Sequence, residues 1–327
     1  MRRAPEFWGR DGLLPRLLQP VASATAAVTA RRVARPGWRA SVPVICCGNV
    51  SVGGAGKTIL ALDLARRIAA RGVRVHCLLR GYGGRARGVH RARPGDAAAE
   101  VGDEALLLAE VAPTWIGADR AASARAAVAA GAEALVMDDG LQNSTLHKDF
   151  SFLVVDGGYG FGNGRVLPAG PLREPIAAGA ARCRAAVLIG ADEAGAARAL
   201  PPSLPVLRAR LVPVADAVDL AGRRVLAFAG IGRPEKFFAT VEAVGGVVVG
   251  RRPFPDHHPY GEAELAGMIA EAAYLDALPV TTAKDAVRIP AAIREDVAVL
   301  GVTLGWEQPD QIEALLAELL SAPRSPG

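Results

Sequence analysis

Residues 42–58 read VPVICCGNVSVGGAGKT, which is an apolar run, a glycine-rich turn and a Lys-Thr pair. A helical pattern follows, and strand, glycine-rich turn, Lys-Thr and helix together are typical of a site that binds a nucleoside triphosphate. The glycines let backbone N–H groups surround phosphate oxygens, and the helix N-terminus adds a partial positive charge. The stretch therefore predicts a phosphate-binding loop that follows a buried strand.

The predicted nucleotide-binding residues are those of this loop, namely Ser51, Gly53, Gly54, Ala55, Gly56, Lys57 and Thr58. Lys57 can reach the β- and γ-phosphates, and the Thr58 hydroxyl can ligate Mg²⁺. Ser51 departs from the strict pattern, which has Gly at that position. The expected ligands are a nucleoside triphosphate and Mg²⁺.

Lysine is scarce in this chain. Lys and Arg together number 38, but the only lysines are Lys57, Lys148, Lys236 and Lys284. Because arginine serves almost everywhere else, a lysine at position 57 indicates a site that needs a compact ammonium group rather than a planar guanidinium.

Apolar strand patterns alternate with helical patterns along most of the chain. Continuous apolar strands in such an alternation predict an α/β fold with a parallel sheet covered on both faces. A cluster of prolines between 201 and 213 interrupts this alternation and indicates a junction between two domains. The predicted divisions are an N-terminal amphipathic segment 1–40, a P-loop domain 41–205, a linker 206–222, a smaller C-terminal α/β domain 223–321 and a frayed tail 322–327.

Two adjacent carboxylates, Asp138 and Asp139, follow the apolar run 135–137. Ligands of parallel α/β sheets bind at the carboxyl ends of strands, and Mg²⁺–nucleotide binding requires an acidic group there. A solvated turn is the alternative interpretation. The nearby phosphate loop favours a role for both carboxylates at the metal ion.

Two further sites remain open on the residues alone. Asp103 stands where a helix is predicted to begin, so it is either a helix cap or a base that deprotonates an acceptor hydroxyl. The run 256–258, Asp-His-His, is either a polar turn or a place where a histidine assists a carboxylate or contacts phosphate.

The amino-acid composition limits the classes of partner that this chain is expected to bind. The chain has 327 residues, 51% of them hydrophobic, and a formal charge of +5. There is neither a lysine-rich run nor a basic face interleaved with aromatic residues, so we expect no nucleic-acid partner. The sequence has no apolar run of the ~20 residues that span a bilayer.

The N-terminal segment has a distinct amphipathic pattern. Its apolar positions fall near one helical face, and a basic flank follows at Arg31, Arg32, Arg35 and Arg39. An apolar stripe with a basic flank suits a helix that lies on an anionic membrane. A helix packed on the protein's own core is the alternative. The apolar stripe consists of Leu14, Leu17, Leu18, Val21 and Val28.

Short motifs are spread over essentially the whole chain. They are Pro5-Glu6-Phe7-Trp8, Gly48-Asn49 before the GGxGKT loop, Arg80-Gly81-Tyr82-Gly83, Gly102-Asp103-Glu104, Asp138-Asp139-Gly140-Leu141-Gln142, GNGRVLPAGPLREP at 162–175, Gly230-Ile231-Gly232, Asp256-His257 and Lys284-Asp285-Ala286-Val287. Together they resemble the tetraacyldisaccharide 4′-kinases, the lipid A 4′-kinases of Gram-negative bacteria. Departures from that family's pattern occur at Ala55, Ile59, Asn143 and Ala283.

The resemblance implies an activity and a location. The activity is ATP-dependent phosphorylation of the 4′-hydroxyl of a tetraacylated glucosamine disaccharide 1-phosphate, at the cytoplasmic face of the inner membrane. The implied fold is a P-loop kinase-type parallel sheet domain and a smaller α/β/α domain, joined by a short β linker, with the site in the cleft. The resemblance also favours the interfacial interpretation of the N-terminal helix.

The resemblance also implies roles for individual residues. Asp103 becomes the expected catalytic base, with His257 of the smaller domain as its helper and Lys57 as the catalytic cation. Thr58, Asp138 and Asp139 are the expected metal residues. The expected contacts to the acylated disaccharide are Arg80, Tyr82, Gln142, Asn163 and Arg173.

Two other functions compete with lipid phosphorylation. One is a membrane-associated P-loop ATPase that positions a partner protein, but such ATPases typically carry an extra lysine where this chain has Val52. The other is a non-catalytic, nucleotide-gated membrane scaffold, in which the carboxylates would be dispensable. Phosphate transfer from ATP to a lipid disaccharide, compared with ATP hydrolysis alone, would separate all three.

Overall fold

The structure is a computed structural model in which residues 5–321 are described. The predicted tail 322–327 and the first four residues of the predicted N-terminal segment lie outside the described residues. After a short 3₁₀ helix, Glu6–Gly9, the helices are α1 Leu13–Leu17, α2 Gln19–Val33, α3 Lys57–Ala69, α4 Ala98–Val101, α5 Asp103–Ala109, α6 Arg120–Ala129, α7 Ile176–Ala180, α8 Ala196–Ala199, α9 Pro234–Ala243, α10 Glu262–Tyr274, α11 Ala283–Ala286, α12 Ala291–Arg294 and α13 Pro309–Ser321. The strands are β1 Val44–Gly48, β2 Val75–Leu79, β3 His90–Ala92, β4 Thr114–Ile116, β5 Ala134–Asp138, β6 Phe150–Asp156, β7 Ala185–Ile189, β8 Val206–Pro213, β9 Arg224–Ala229, β10 Val247–Pro253, β11 Leu278–Thr282, β12 Ala298–Leu300 and β13 Val302–Trp306.

The larger of the two sheets has nine strands in the order β13-β8-β7-β6-β1-β5-β2-β4-β3. Neighbouring strands between its edges are parallel, whereas the edge strands β3 and β13 are antiparallel to their neighbours. Strand β1, which leads into the phosphate loop, lies centrally between β5 and β6. The predicted α/β fold with a parallel P-loop sheet is confirmed.

Both faces of this sheet are covered, as its unbroken apolar strands require. Helices α3, α5 and α13 contribute buried side chains to the core on one face. Helices α2, α6, α7 and α8 do so on the other, mostly through alanines, which let helices approach the sheet closely. The carboxyl ends of the parallel strands therefore meet at one edge of a rigid layer.

The smaller domain repeats this plan around four parallel strands in the order β10-β9-β11-β12. Helix α9 packs Phe237, Phe238 and Val241 on one face, and α10 packs Leu265 and Met268 on the other. The predicted smaller α/β domain is thus a layered unit with its own core.

The structure differs from the predicted divisions at both ends of the smaller domain. Residues 206–213, predicted as linker, form β8 of the large sheet. Residues 302–321, predicted as part of the smaller domain, return to the large one. Strand β13 pairs with β8, and α13 buries Ile312, Leu316 and Leu319 in the core of the larger domain.

Side-chain contacts explain why this last segment packs on the larger domain. Trp306 Nε1 donates to the buried Asp63 carboxylate of α3 at 3.0 Å. Arg67 of the same helix pairs with Asp63 and also with Glu313 of α13. Hydrophobic periodicity predicts a strand and a helix here, but it does not specify which of two sheets they join.

The N-terminal segment folds into α1 and α2 and is attached to the loop 157–172. Asn163 donates from its side-chain amide to the carbonyl oxygens of Phe7 and Ala169, at 3.2 and 2.9 Å. Trp8 Nε1 donates to the Pro168 carbonyl at 3.1 Å, and Arg165 pairs with Asp11. The segment is therefore held at defined points.

Most of the predicted apolar stripe faces outward. Leu14, Leu17, Val21 and Val28 are exposed, whereas Leu18 is half-buried against the core. Leu13, which the predicted stripe did not include, is 75% exposed. Within residues 5–321, no helix has both the length and the apolar character needed to cross a membrane.

Candidate active site

The phosphate loop follows β1 and ends where α3 begins. Gly53 and Gly56 have φ values of +114° and +89°, a region that side chains disfavour. A Cβ at Gly56 would also lie 2.6 Å from Ile189 Cδ1, so a side chain there would force Ile189 to shift. Ser51 needs no such freedom, because it forms an ordinary antiparallel bridge with Leu172, and this explains why it can replace the glycine of the strict pattern.

Thr58 and Asp138, both predicted as metal residues, lie side by side. The β1–β5 pairing brings Asp138 beside the loop, and its Oδ2 accepts a hydrogen bond from Thr58 Oγ1 at 2.8 Å. Its Oδ1 is buried and has no hydrogen-bond partner among the described residues. Burial raises the pKa of this carboxyl to about 7, against the opposing effect of Lys57. A bound cation would satisfy the orphaned oxygen.

Two cationic side chains lie against the Asp139 carboxylate. Arg173 binds both of its carboxylate oxygens, at 2.7 and 3.1 Å, and Lys57 Nζ lies 3.8 Å away. Burial would raise the pKa of Asp139, but Lys57 and Arg173 outweigh it and lower that pKa. The residue has φ +51°, a strained conformation that places its side chain between the cations.

Gln142 links the Asp139–Arg173 pair to the end of β1. Its Oε1 accepts from Arg173 at 3.3 Å, and its Nε2 donates to the Asn49 carbonyl and to Glu174, each at 2.8 Å. Gln142 and Arg173, predicted to contact the lipid substrate, are therefore engaged with the Asp139 side of the site. Asn163, predicted with them, holds the N-terminal segment through the Phe7 carbonyl.

The Asp103–His257 pair spans the two domains. Asp103 is the first residue of α5 in the larger domain, and its carboxylate is buried, whereas His257 follows β10 in the smaller domain. The distance from His257 Nδ1 to Asp103 Oδ2 is 2.8 Å. With Asp103 ionised, the Nδ1–H group is the donor. Asp103 is not the helix cap, since Gly102 occupies that position.

Two predicted substrate residues border this pair. The Tyr82 ring lies 5.9 Å from the His257 ring and is half-exposed. Arg80 is exposed at the carboxyl end of β2. Together with Asp103, these residues form a face that an acceptor molecule could contact.

Several charged residues near this pair were not predicted as site residues. Lys284 Nζ lies 3.0 Å from Glu104 and 3.4 Å from Asp256, so it bridges the domains. Burial would lower the pKa of Lys284, but the two carboxylates raise it. Arg288 Nε lies 3.4 Å from Asp103 Oδ2. The sequence feature that points to Lys284 and Arg288 is their i, i+4 spacing, which can place two cations on one side of a helical turn.

The chain is similar to one known protein family over almost its whole length. The family described as Tetraacyldisaccharide-1-P 4'-kinase matches residues 14–321. A Tetraacyldisaccharide 4'-kinase from Gluconacetobacter diazotrophicus is 59% identical over 316 residues, which cover 96% of this chain and 97% of the relative. One from Rhodospirillum centenum is 57% identical over 328 residues, covering 98% of this chain and 97% of the relative.

A solved structure has a similar fold. It is the crystal structure of LpxK from Aquifex aeolicus in complex with ATP. The TM-score is 0.74 at 25% sequence identity, and the match covers 94% of this chain and 100% of that one. The similarity therefore includes both domains and not the P-loop sheet alone.

Proposed function

Because this chain belongs to the tetraacyldisaccharide-1-P 4′-kinase family, we propose that it transfers the γ-phosphoryl group of ATP to the 4′-hydroxyl of a tetraacylated glucosamine disaccharide 1-phosphate, in lipid A biosynthesis. The observation that carries the mechanism is the buried Asp103 carboxylate, joined to His257 across the domain cleft. The two domains thus share one site, next to a phosphate-binding loop.

The loop residues Ser51, Gly53, Gly54, Ala55, Gly56, Lys57 and Thr58 hold the nucleotide phosphates. Lys57 balances the charge that spreads over the transferring phosphoryl group. Its ammonium group is held between the Gly53 carbonyl and Asp139, at 3.5 and 3.8 Å. Asp139, which is also paired with Arg173, therefore orients Lys57.

Thr58 and Asp138 fit a Mg²⁺ ion, as the orphaned Asp138 oxygen indicates. When bound, the ion neutralises charge on the phosphate oxygens. Within the described chain, no three His, Cys, Asp or Glu side chains form a metal cluster of their own, so the remaining ligands would come from nucleotide and water. Asp139 is already paired with Arg173, so it would affect a bound ion mainly through its negative charge.

Asp103 acts on the acceptor. It accepts the proton of the 4′-hydroxyl as that oxygen bonds to the γ-phosphorus, and the bond from this phosphorus to the β–γ bridging oxygen breaks to release ADP. His257 holds the carboxylate in place through the contact of its Nδ1 with Asp103 Oδ2. Tyr82 and Arg80 border the same face and contact the sugar.

The decisive experiment follows radiolabelled phosphate from ATP into tetraacyldisaccharide 1-phosphate in detergent micelles. Label in the lipid, in proportion to the ADP formed, supports the kinase. ADP and inorganic phosphate without labelled lipid would support the alternative, a membrane-associated ATPase, which no contact in residues 5–321 specifically favours.

His257→Ala is expected to lower kcat by about 10²-fold, because Asp103 loses its oriented partner. ATP binding without lipid should be unchanged, since His257 lies in the other domain from the phosphate loop. Steady-state kinetics and ATP titration measure the two effects. His90→Ala, at an exposed histidine of β3, is the matched control.

Combining His257→Ala with Asp103→Asn tests whether the two residues act together in catalysis or whether His257 has a separate structural role. Residues that act as a unit give losses that do not multiply. Fully multiplicative losses would show that His257 supports the fold or binds lipid independently of Asp103.

The N-terminal segment is proposed to lie on the anionic cytoplasmic face of the inner membrane. Its exposed leucines form the apolar surface, and Arg31, Arg32 and Arg35, at and just after the end of α2, are exposed. Apolar insertion and attraction to anionic lipid add up in such helices. Such a contact would bring the protein to the membrane that holds the acyl chains of its substrate.

Leu13→Gln combined with Leu17→Gln is expected to weaken binding to anionic vesicles by roughly tenfold or more, because two exposed apolar side chains no longer enter the bilayer. Binding of the unchanged protein should also fall as salt rises. Vesicle co-sedimentation measures both. Tyr274→Gln, at an 89% exposed residue of the smaller domain, is the control and should bind as the unchanged protein does. Equal binding by the double variant would place the membrane contact elsewhere.

A further inference from the structure

Arg288 is a buried arginine whose guanidinium group reaches the Asp103–His257 pair from behind. Its side chain is only 5% exposed. Nε lies 3.4 Å from Asp103 Oδ2, the oxygen that His257 also contacts. Nε also donates to a carbonyl of its own turn at 3.4 Å, and the two other nitrogens donate to further backbone carbonyls, Nη1 to His258 at 2.8 Å and Nη2 to Gly230 at 3.0 Å.

These carbonyls fix the turn that carries His257. The Gly230 carbonyl accepts from the backbone N–H of His257 as well as from Arg288. His257 has φ +62°, a conformation that persists only where its surroundings enforce it. A Cβ at Gly230 would lie 3.1 Å from Asp285 Oδ1, from His258 Cβ and from the Pro255 carbonyl, so the turn is tightly packed. Arg288 thus contacts both the base and the turn that holds its partner.

Arg288 is itself held in one orientation by Asp285. Asp285 is fully buried and accepts from Arg288 at 2.5 Å, from Tyr260 OH at 2.7 Å and from the Gly230 N–H at 2.7 Å. The Tyr260 ring also lies beneath the guanidinium group, 5.5 Å from its centre. A fully satisfied buried network of this kind is rigid.

We infer that Arg288 is a positioning residue of the phosphoryl-transfer reaction, which fixes the Asp103 carboxylate and the His257 turn in one geometry. The inference rests on the proposed role of Asp103 as the base. The planar fork is required, because one side chain must reach the base, two carbonyls and Asp285 at once. A lysine can satisfy Asp285 but cannot reach all these partners together.

Arg288→Lys tests this directly. Since Arg288 also neutralises the fully buried Asp285, a variant without its charge threatens folding, and the lysine variant keeps that charge. We expect kcat to fall roughly 10–100-fold, as for a misplaced catalytic group, with KM for ATP and the thermal midpoint nearly unchanged. Arg294→Lys is the matched control, because Arg294 also bridges the domains, to Glu110 at 3.9 Å, without touching Asp103. It should retain activity within about twofold.

The same substitution in an Asp103→Asn background separates positioning from general support. If Arg288 acts through Asp103, the lysine variant should lose little further activity once the base is gone. An equal loss in both backgrounds, or normal kcat for Arg288→Lys alone, would overturn the inference. The proposed function fails in a distinguishable way, namely if the unchanged enzyme does not phosphorylate the lipid or Asp103→Asn keeps its activity.

Discussion

Asp103→Asn is expected to lower kcat by roughly 10²–10⁴-fold, the range for loss of a general acid or base. The amide is nearly isosteric with the carboxylate, so α5 and its packing should persist. It cannot accept the proton of the acceptor hydroxyl, however, and His257 then faces a neutral group. Steady-state kinetics at saturating ATP and lipid measure the effect, and ATP titration in the absence of lipid should show unchanged affinity.

Glu110→Gln is the matched control, since Glu110 caps the other end of the same helix and is exposed. Its activity should remain within about twofold of the unchanged enzyme. A loss of ATP affinity in Asp103→Asn would instead make Asp103 a nucleotide or metal residue. The base would then be sought at Asp138 or Asp139.

Lys57→Ala is expected to lower kcat/KM by at least ~10²-fold, or about 2.7 kcal/mol of transition-state stabilisation. The Lys57 side chain is only 10% exposed, so water and salt can replace its charge poorly. Its removal also leaves the Asp139 carboxylate paired with Arg173. Kinetics with the lipid substrate measure the loss, and a cooperative thermal transition shows that the fold persists.

Lys57→Arg tests whether the site requires a compact ammonium group and not only a positive charge. Arginine keeps the charge, but its planar group does not fit between the Gly53 carbonyl and Asp139 as a compact ammonium does. We expect Lys57→Arg to be impaired nearly as much as Lys57→Ala. Activity within a few-fold of the unchanged enzyme in either variant would contradict the role of this loop in phosphate binding.

Local sequence signals predict the parts of the site that depend on short-range geometry. The phosphate loop is encoded by glycines at left-handed positions and by the apolar strand before it. Asp138 is predicted because it terminates a buried strand, and the carboxyl ends of neighbouring parallel strands lie together. The structure places Asp138 against Thr58 as those signals require.

Contacts between distant segments are less accessible to the sequence. Arg288 is one of many arginines, and its pattern does not reveal that it meets Asp103 across the cleft. Asn163 lies in a motif shared with the kinase family, but the motif does not reveal that its side-chain amide donates to the backbone of the N-terminal segment. The membership of β13 and α13 in the larger domain likewise depends on which sheet edge is open, a property of the assembled fold.

The path of the chain between the two domains has a consequence for biosynthesis. The chain leaves the large sheet at Pro213 and re-enters it at Val302, and these two residues are paired neighbours. The smaller domain is thus a nested insertion, with entry and exit side by side, in a nucleotide-binding domain that is discontinuous in sequence. On the ribosome, the inserted unit is synthesised before residues 302–321, which cover one flank of the phosphate-loop helix. The nucleotide-binding domain is therefore begun first and completed last.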